Sequence, residues 1–341
     1  MLKSVRFKNL KALRDAELPL GPFTLIVGAN GSGKSTVLQG LRELSPRPRE
    51  GQEPSLEYAR CVSVSEQGSE QPIEIIATWE KLAKGATTRK LVRKDDRPSY
   101  HRDADGRESS PSDCAVFDSW LAKIRIYSLD AARIKVPVHL SPAMELDYAG
   151  YQLLGVLDRL RDTHPERFDI LNAELSRWLP EFDRILFQTP QQGIRSISLR
   201  TRQRGYQIPV SELSQGTLLV LAIFTIAYLP EPPTLVGLEE PDRGIHPRLL
   251  RDVREALYRL VYPADFGESR EPVQVIATTH SPYFMDLFRD DLEQIVIAEK
   301  DGLDVKFVRL VDLPNVEEIL RDCHLGDAWY SGILGGVPSQ P

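Results

Sequence analysis

Residues Gly28-Ala-Asn-Gly-Ser-Gly-Lys-Ser35 carry the spacing G-x-x-x-x-G-K-[ST], whose residue types can together hold a phosphate chain. The glycines let backbone N–H groups converge on an anion. Lys34 can reach the β and γ oxygens, the hydroxyl of Ser35 can hold Mg²⁺, and a helix starting at once adds the positive end of its dipole. The loop is therefore expected to bind Mg·ATP through Asn30, Gly31, Ser32, Gly33, Lys34, Ser35 and Thr36. A glycine-rich turn without chemistry is the plain alternative.

Two further clusters stand where apolar runs end. Thr234-Leu-Val-Gly-Leu238 delivers Glu239 and Glu240, and adjacent carboxylates on an apolar strand call for a cation or a proton to offset their burial. In phosphate-loop NTPases one acidic residue at this place holds Mg²⁺ and a following carboxylate polarises the attacking water. Glu239 is accordingly expected at the metal and Glu240 as the general base, with two surface carboxylates as the alternative. Val273-Gln-Val-Ile-Ala277 ends in Thr278-Thr-His280-Ser281, so His280 is expected at the γ-phosphate rather than as an ordinary hydrogen-bonded histidine.

These residues need strands that end at one edge of a sheet. Runs 2–8 and 22–27 read as strands, the second apolar throughout as in a strand covered on both faces. A helix follows from Lys34, with Val37, Leu38, Leu41 and Leu44 on one face, until Pro46 and Pro48 stop it. Short strands at 57–64, 72–79 and 87–93, set between polar stretches 45–56 and 94–113, predict an antiparallel side sheet with mobile loops. Helical spacing over 142–179 predicts a helical lobe. Short strands near 185–210 follow. A helix (217–229), strand (234–238), helix (247–261), strand (273–278) and short helix from Pro282 then alternate as in a parallel α/β sheet. A hairpin is expected over 294–309, turning at Asp301 and Gly302, and the last residues, 325–341, are expected as an extended tail.

Composition bounds the rest. The chain has 341 residues, 41% hydrophobic and 27% charged, a balance that excludes disordered and fibrous classes. No long uncharged apolar run occurs, and the charged start lacks the apolar stretch of a signal peptide, so a cytoplasmic protein away from membranes is expected. Three scattered cysteines, Cys61, Cys114 and Cys323, form neither a disulfide framework nor a zinc site. The net charge of -6 means that any nucleic-acid surface must be local.

The phosphate loop, LSQG at 213–216, LEEPDRGIHP at 238–247 and TTHSP at 278–282, taken with FKNLKALRDAEL and GPFTLIVGANGSGKST near the start, resemble the ATPase heads of the ABC class. The branch is that of the RecF, structural-maintenance-of-chromosomes and overcoming-lysogenization-defect ATPases. The resemblance implies an α/β phosphate-loop fold with a mostly parallel core sheet, an antiparallel side sheet and a helical lobe. It implies an ATP-binding lobe at 1–140, a helical lobe at 141–215 ending in the signature motif, the rest of the core at 216–310 and a tail at 311–341. It implies ATP and Mg²⁺ as cofactors and a homodimer with two shared ATP sites, in which Ser214 and Gly216 touch the γ-phosphate held by a second copy. Outside that context LSQG reads as an ordinary N-cap. His280 matches the switch histidine and His246 stands at the D-loop position. Glu239 departs from the usual metal aspartate, and Gln152 is a weak match to the Q-loop glutamine.

The implied function is an ATP-hydrolysing, dimerising switch in DNA repair or anti-phage and mobile-element defence, working with DNA or a separately encoded nuclease or effector. The span after 310 is too short for a toprim nuclease domain, and no coiled coil lies between Lys34 and Ser214. The alternatives are the nucleotide-binding subunit of a membrane transporter and a module that binds nucleotide without hydrolysis; Glu240 and His280 disfavour the latter. Basic clusters at Arg89-Lys90, Arg93-Lys94 and Arg97, and at Arg200, Arg202 and Arg204, read as solvated strand faces or, converging across a dimer, as a DNA-backbone surface. Trp329 and Tyr330 pack on the chain's own core or dock a partner.

Overall fold

The computed structural model describes residues 1–45, 61, 63, 71–80, 88–93, 98–101 and 111–336; the strand expected at 57–64 falls almost wholly outside them. The chain divides into two compact units, one of Met1–Ile126, Pro233–Glu239 and Val273–Pro341, the other of Tyr127–Pro232 and Glu240–Pro272.

The first unit is organised by Phe23–Val27, a strand buried at every position. Gln274–Thr279 and Ile295–Asp301 run parallel to it on either side, so neither edge is open and an unbroken apolar run is what this place requires. The full sheet reads Asp304–Arg309, Ile295–Asp301, Phe23–Val27, Gln274–Thr279, Leu235–Glu239, Ile124–Tyr127. Asp304–Arg309 returns antiparallel as the hairpin expected from Asp301 and Gly302. The helix Lys34–Glu43 buries Val37, Leu38 and Leu41, and Gly237 lets it approach: a Cβ there would lie 3.0 Å from Leu38 Cδ2 and 2.5 Å from Ile126 Cδ1.

An antiparallel side sheet runs Leu13–Pro19, Leu2–Leu10, Ile73–Trp79, Thr88–Arg93, Pro98–His101. Its tie to the core is Gln274, fully buried and therefore obliged to find partners. Its amide donates to the carbonyls of Leu2 and Gly21, both at 2.8 Å, and its oxygen accepts from the N–H of Leu2 at 2.9 Å. The mixed sheet, side sheet and helices make the α/β phosphate-loop fold expected from the sequence.

In the second unit the helices Leu153–Thr163 and Pro165–Trp178 form the helical lobe, followed by the antiparallel pair Phe182–Gln191 and Ile194–Thr201. Gln215–Tyr228 is apolar all round and buried from Thr217 to Tyr228, as a helix without a polar face must be. Leu250–Val261 is amphipathic and turns Leu250, Val253, Ala256, Leu257 and Leu260 inward.

Two expectations need correction, and one strand had not been expected. The tail expected to be extended from 325 opens with the helix Leu325–Tyr330, just after the helix Val316–Asp322; Leu325, Ala328 and Trp329 recur at helical spacing and are buried, which outweighs the surrounding glycines. Trp329 is 6% exposed, inside the unit's own core, whereas Tyr330 is 78% exposed. The polar stretch 94–113 holds the strand Pro98–His101 and the start of the helix Pro111–Leu121. Leu13–Pro19, unread in the sequence, is a strand that turns Leu13, Ala16 and Leu18 inward.

Candidate nucleotide site

Strand register brings the predicted residues of the first unit to one edge. Glu239 is level with Thr278, and Thr278 with Ile26; Thr279 is level with Val27. Gly28, Glu239 and His280 therefore stand at the ends of three neighbouring parallel strands, the carboxyl edge where open α/β sheets take ligands.

The loop between Phe23–Val27 and Lys34–Glu43 is shaped by two different demands on glycine. Gly31 has φ +78 with open space where a Cβ would stand, so conformation alone selects it. Gly28 is selected by crowding: a Cβ would lie 2.7 Å from the Ala298 carbonyl oxygen and 2.7 Å from Ser32 Oγ. Lys34, 6% exposed, folds back on the loop and donates to the carbonyls of Gly28 at 2.7 Å and Ala29 at 2.9 Å. Its charge is thus held against the loop by backbone oxygens. Ser32 Oγ is buried with no hydrogen-bond partner among the described residues.

Ser35 donates its hydroxyl to Glu239 Oε1. A hydroxyl and a carboxylate joined in this way are hard oxygen donors, and they fit Mg²⁺, which takes few protein ligands and fills its remaining positions with water and phosphate oxygens. Among the described residues no group of three or more His, Cys, Asp or Glu could hold a metal ion by itself. His280 is exposed just past its strand; Ser281 next to it donates its N–H to Thr279 Oγ1 at 3.0 Å and caps the helix Pro282–Asp286 through its hydroxyl.

Glu240 opens the second unit, half-buried with φ +45. A glutamate in this region holds backbone strain of about 1–3 kcal/mol. Also in this unit, the exposed Ser214 caps Gln215–Tyr228, its Oγ accepting from the Thr217 N–H at 3.2 Å. Gly216 makes room for the loop after Glu240: a Cβ would stand 2.8 Å from the Gly244 carbonyl oxygen. His246 accepts from the Arg248 N–H at 3.2 Å, capping a short turn. Gln152 begins the helix Leu153–Thr163 and accepts from the Glu145 N–H at 3.2 Å.

Among the described residues, the first basic cluster is engaged in ion pairs, whereas Arg202 and Arg204 of the second are exposed. Arg93, 2% exposed, pairs with Glu43 at 2.6 Å, Arg89, 6% exposed, with Asp118 at 2.6 Å, and Lys90 with Glu74 at 2.6 Å. Arg200 makes a two-point pair with Asp183, and Arg202 donates to the carbonyls of Pro180 and Ser176. Lys94 and Arg97 lie outside the described residues. The arginines serve internal carboxylates and carbonyls because a guanidinium can satisfy several acceptors at once. One contact at the site has no sequence motif: the Ala29 N–H donates to the Gly336 carbonyl at 2.7 Å.

Residues 95–286, more than half of the chain, match the family described as "AAA domain, putative AbiEii toxin, Type IV TA system". The chain belongs to this AAA family. Residues 1–78 match a second description, "AAA ATPase domain". Among curated proteins, the OLD nuclease of Thermus scotoductus is 24% identical over 96% of the chain and 68% of its own length. The Old nuclease of Escherichia phage P2 is 23% identical over 82% of the chain and 56% of its own length. Among solved structures, a structural-maintenance-of-chromosomes head bound to the C-terminal winged-helix domain of ScpA gives a TM-score of 0.60, with 16% identity, 90% of the chain and 96% of the head. The head domain from Thermotoga maritima gives 0.51, with 17% identity, 90% of the chain and 98% of that domain. The fold is that of the ABC-class ATPase heads of the RecF, structural-maintenance-of-chromosomes and OLD type. These likenesses do not favour the transporter-subunit alternative, and no helix among the described residues is long and apolar enough to cross a membrane.

Proposed function

We propose that this AAA-family ATPase binds and hydrolyses Mg·ATP and dimerises when ATP is bound. The observation that carries the reading is the meeting of Ser35 and Glu239 at the strand edge that also bears Lys34 and His280. Asn30 to Thr36 hold the phosphates, Lys34 neutralises their charge, and Ser35 with Glu239 holds Mg²⁺, which supplies further charge neutralisation. Glu240 takes the proton of the attacking water and His280 contacts the γ-phosphate. Ser214 and Gly216 act on the nucleotide of a second copy: the capping geometry at Ser214 presents a helix N-terminus, and a helix N-terminus attracts phosphate.

The switch acts in genome maintenance or in defence against mobile elements, with a separately encoded nuclease or effector as partner. The likeness to two proteins named OLD nuclease, over 96% and 82% of the chain, supports this reading. A DNA partner would engage surfaces other than Arg89 and Arg93, both buried in ion pairs.

The test mixes an inactive Lys34→Ala chain with an inactive Ser214→Arg chain. In a mixed dimer one of the two composite sites is free of both lesions, so hydrolysis partly returns; Glu240→Gln keeps ATP bound and nearly stops turnover. A folded mixture that dimerises with ATP yet regains no activity counts against shared sites, and a fully active monomer refutes the dimer.

A further inference from the structure

We propose that the segment Leu325–Gly336 is a positioning element of the nucleotide site, orienting the peptide that holds Lys34; this rests on the nucleotide-binding reading above. The peptide bond between Gly28 and Ala29 is trans, as are all others described, so its C=O and N–H point in opposite directions. The C=O accepts from Lys34 Nζ at 2.7 Å and the N–H donates to the Gly336 carbonyl at 2.7 Å. One rigid plane therefore links Gly336 to the ammonium group. The Ala29 carbonyl completes the hold on Lys34 at 2.9 Å.

The strand beside the loop leaves little freedom. The Ala298 carbonyl oxygen lies 2.7 Å from the Cβ position of Gly28 and 3.6 Å from that of Gly336, while a Cβ on Gly336 would stand 2.6 Å from Ile297 Cγ2. Ile297 is itself paired with Val27, the last residue before the loop. Gly336 thus reaches the loop only because it lacks a side chain on this side.

The segment is anchored at its other end. Leu325, Ala328, Trp329 and Leu334 are buried. The Gly326 N–H donates to Asp286 Oδ1 at 2.7 Å, and a Cβ on Gly326 would stand 2.5 Å from the Pro282 carbonyl oxygen. Pro282–Asp286 is the helix that begins two residues after His280. The same segment therefore grips the first peptide of the phosphate loop and the helix behind the histidine, and it fixes both relative to one strand edge.

The test is a double-mutant cycle in the full chain. Ala29→Pro removes the donor, and Gly336→Val displaces the acceptor by crowding Ile297. ATP affinity is measured by calorimetry with Mg²⁺, beside the unfolding midpoint without nucleotide. Each single change is expected to weaken ATP binding roughly threefold to tenfold, the range of one backbone hydrogen bond. The double variant is expected to bind no more weakly than the weaker single one, since both changes break the same link. Should Gly336→Val fail to fold, a chain ending at Leu334 replaces it, because it keeps Leu325, Trp329 and Leu334. Wild-type affinity in the single variants, or losses that multiply in the double, overturns the role of the segment alone. A wild-type chain that does not bind ATP overturns the nucleotide reading and this inference with it.

Discussion

Gly28 and Gly31 belong to one motif but are required for opposite reasons, and this predicts a crossed order of substitutions. At 28 the obstacle is volume: Ala places a Cβ 2.7 Å from the carbonyl oxygen of Ala298, and that residue, paired with Phe307 in the neighbouring strand, cannot retreat. Forcing an added carbon into such a place costs about 1–3 kcal/mol, and Asn, being larger, costs more. At 31 the obstacle is φ +78 with nothing within 4 Å of the added Cβ. Ala then costs about 1–2 kcal/mol for the left-handed backbone, and Asn, which adopts it more readily, costs less. Urea unfolding of four variants, Gly28→Ala, Gly28→Asn, Gly31→Ala and Gly31→Asn, should therefore rank Ala above Asn at 28 and Asn above Ala at 31, with unchanged slopes. ATP affinity should fall with the Gly28 variants, because the Gly28 carbonyl is one of the oxygens holding Lys34. The same order at both positions refutes the reasoning.

Glu239→Gln should raise the Mg²⁺ concentration needed for half-maximal ATP binding roughly 10- to 100-fold, the usual loss when a carboxylate supporting a metal ligand is altered; calorimetry over a Mg²⁺ series checks this, and an unchanged requirement contradicts it. Burial pushes the Tyr228 phenol up to about 12, although Arg259 over its ring opposes the shift. The fold keeps this proton while the unfolded chain loses it near pH 10, so stability falls as pH rises from about 10 toward 12. Tyr228→Phe should lessen that fall in denaturation curves, and an absorbance titration of the wild type should show one phenol ionising later than the rest.

The phosphate loop and the strand ends around it were legible because their residues encode backbone geometry directly: glycine where φ is positive or space is absent, apolar runs where both faces are covered. Ser214 was legible as a cap for the same reason, since its hydroxyl satisfies a local N–H. Long-range pairings left no such mark. Arg89 and Arg93 looked like a basic cluster because Asp118 and Glu43, which neutralise them, lie far away in sequence. The helix Leu325–Tyr330 was hidden by its brevity, too short for its spacing to stand out among glycines. Gly336 could not be connected to Ala29 from sequence at all, since a carbonyl oxygen has no residue type.

The claim that this AAA-family head is a nucleotide switch rests first on Lys34, the buried ammonium over the phosphate loop. Calorimetric titration of ATP with Mg²⁺ into the wild-type chain and into Lys34→Ala tests it most directly. Binding by the wild type and its loss in a variant that remains folded is the predicted result; equal ATP affinity in the two chains would contradict the account.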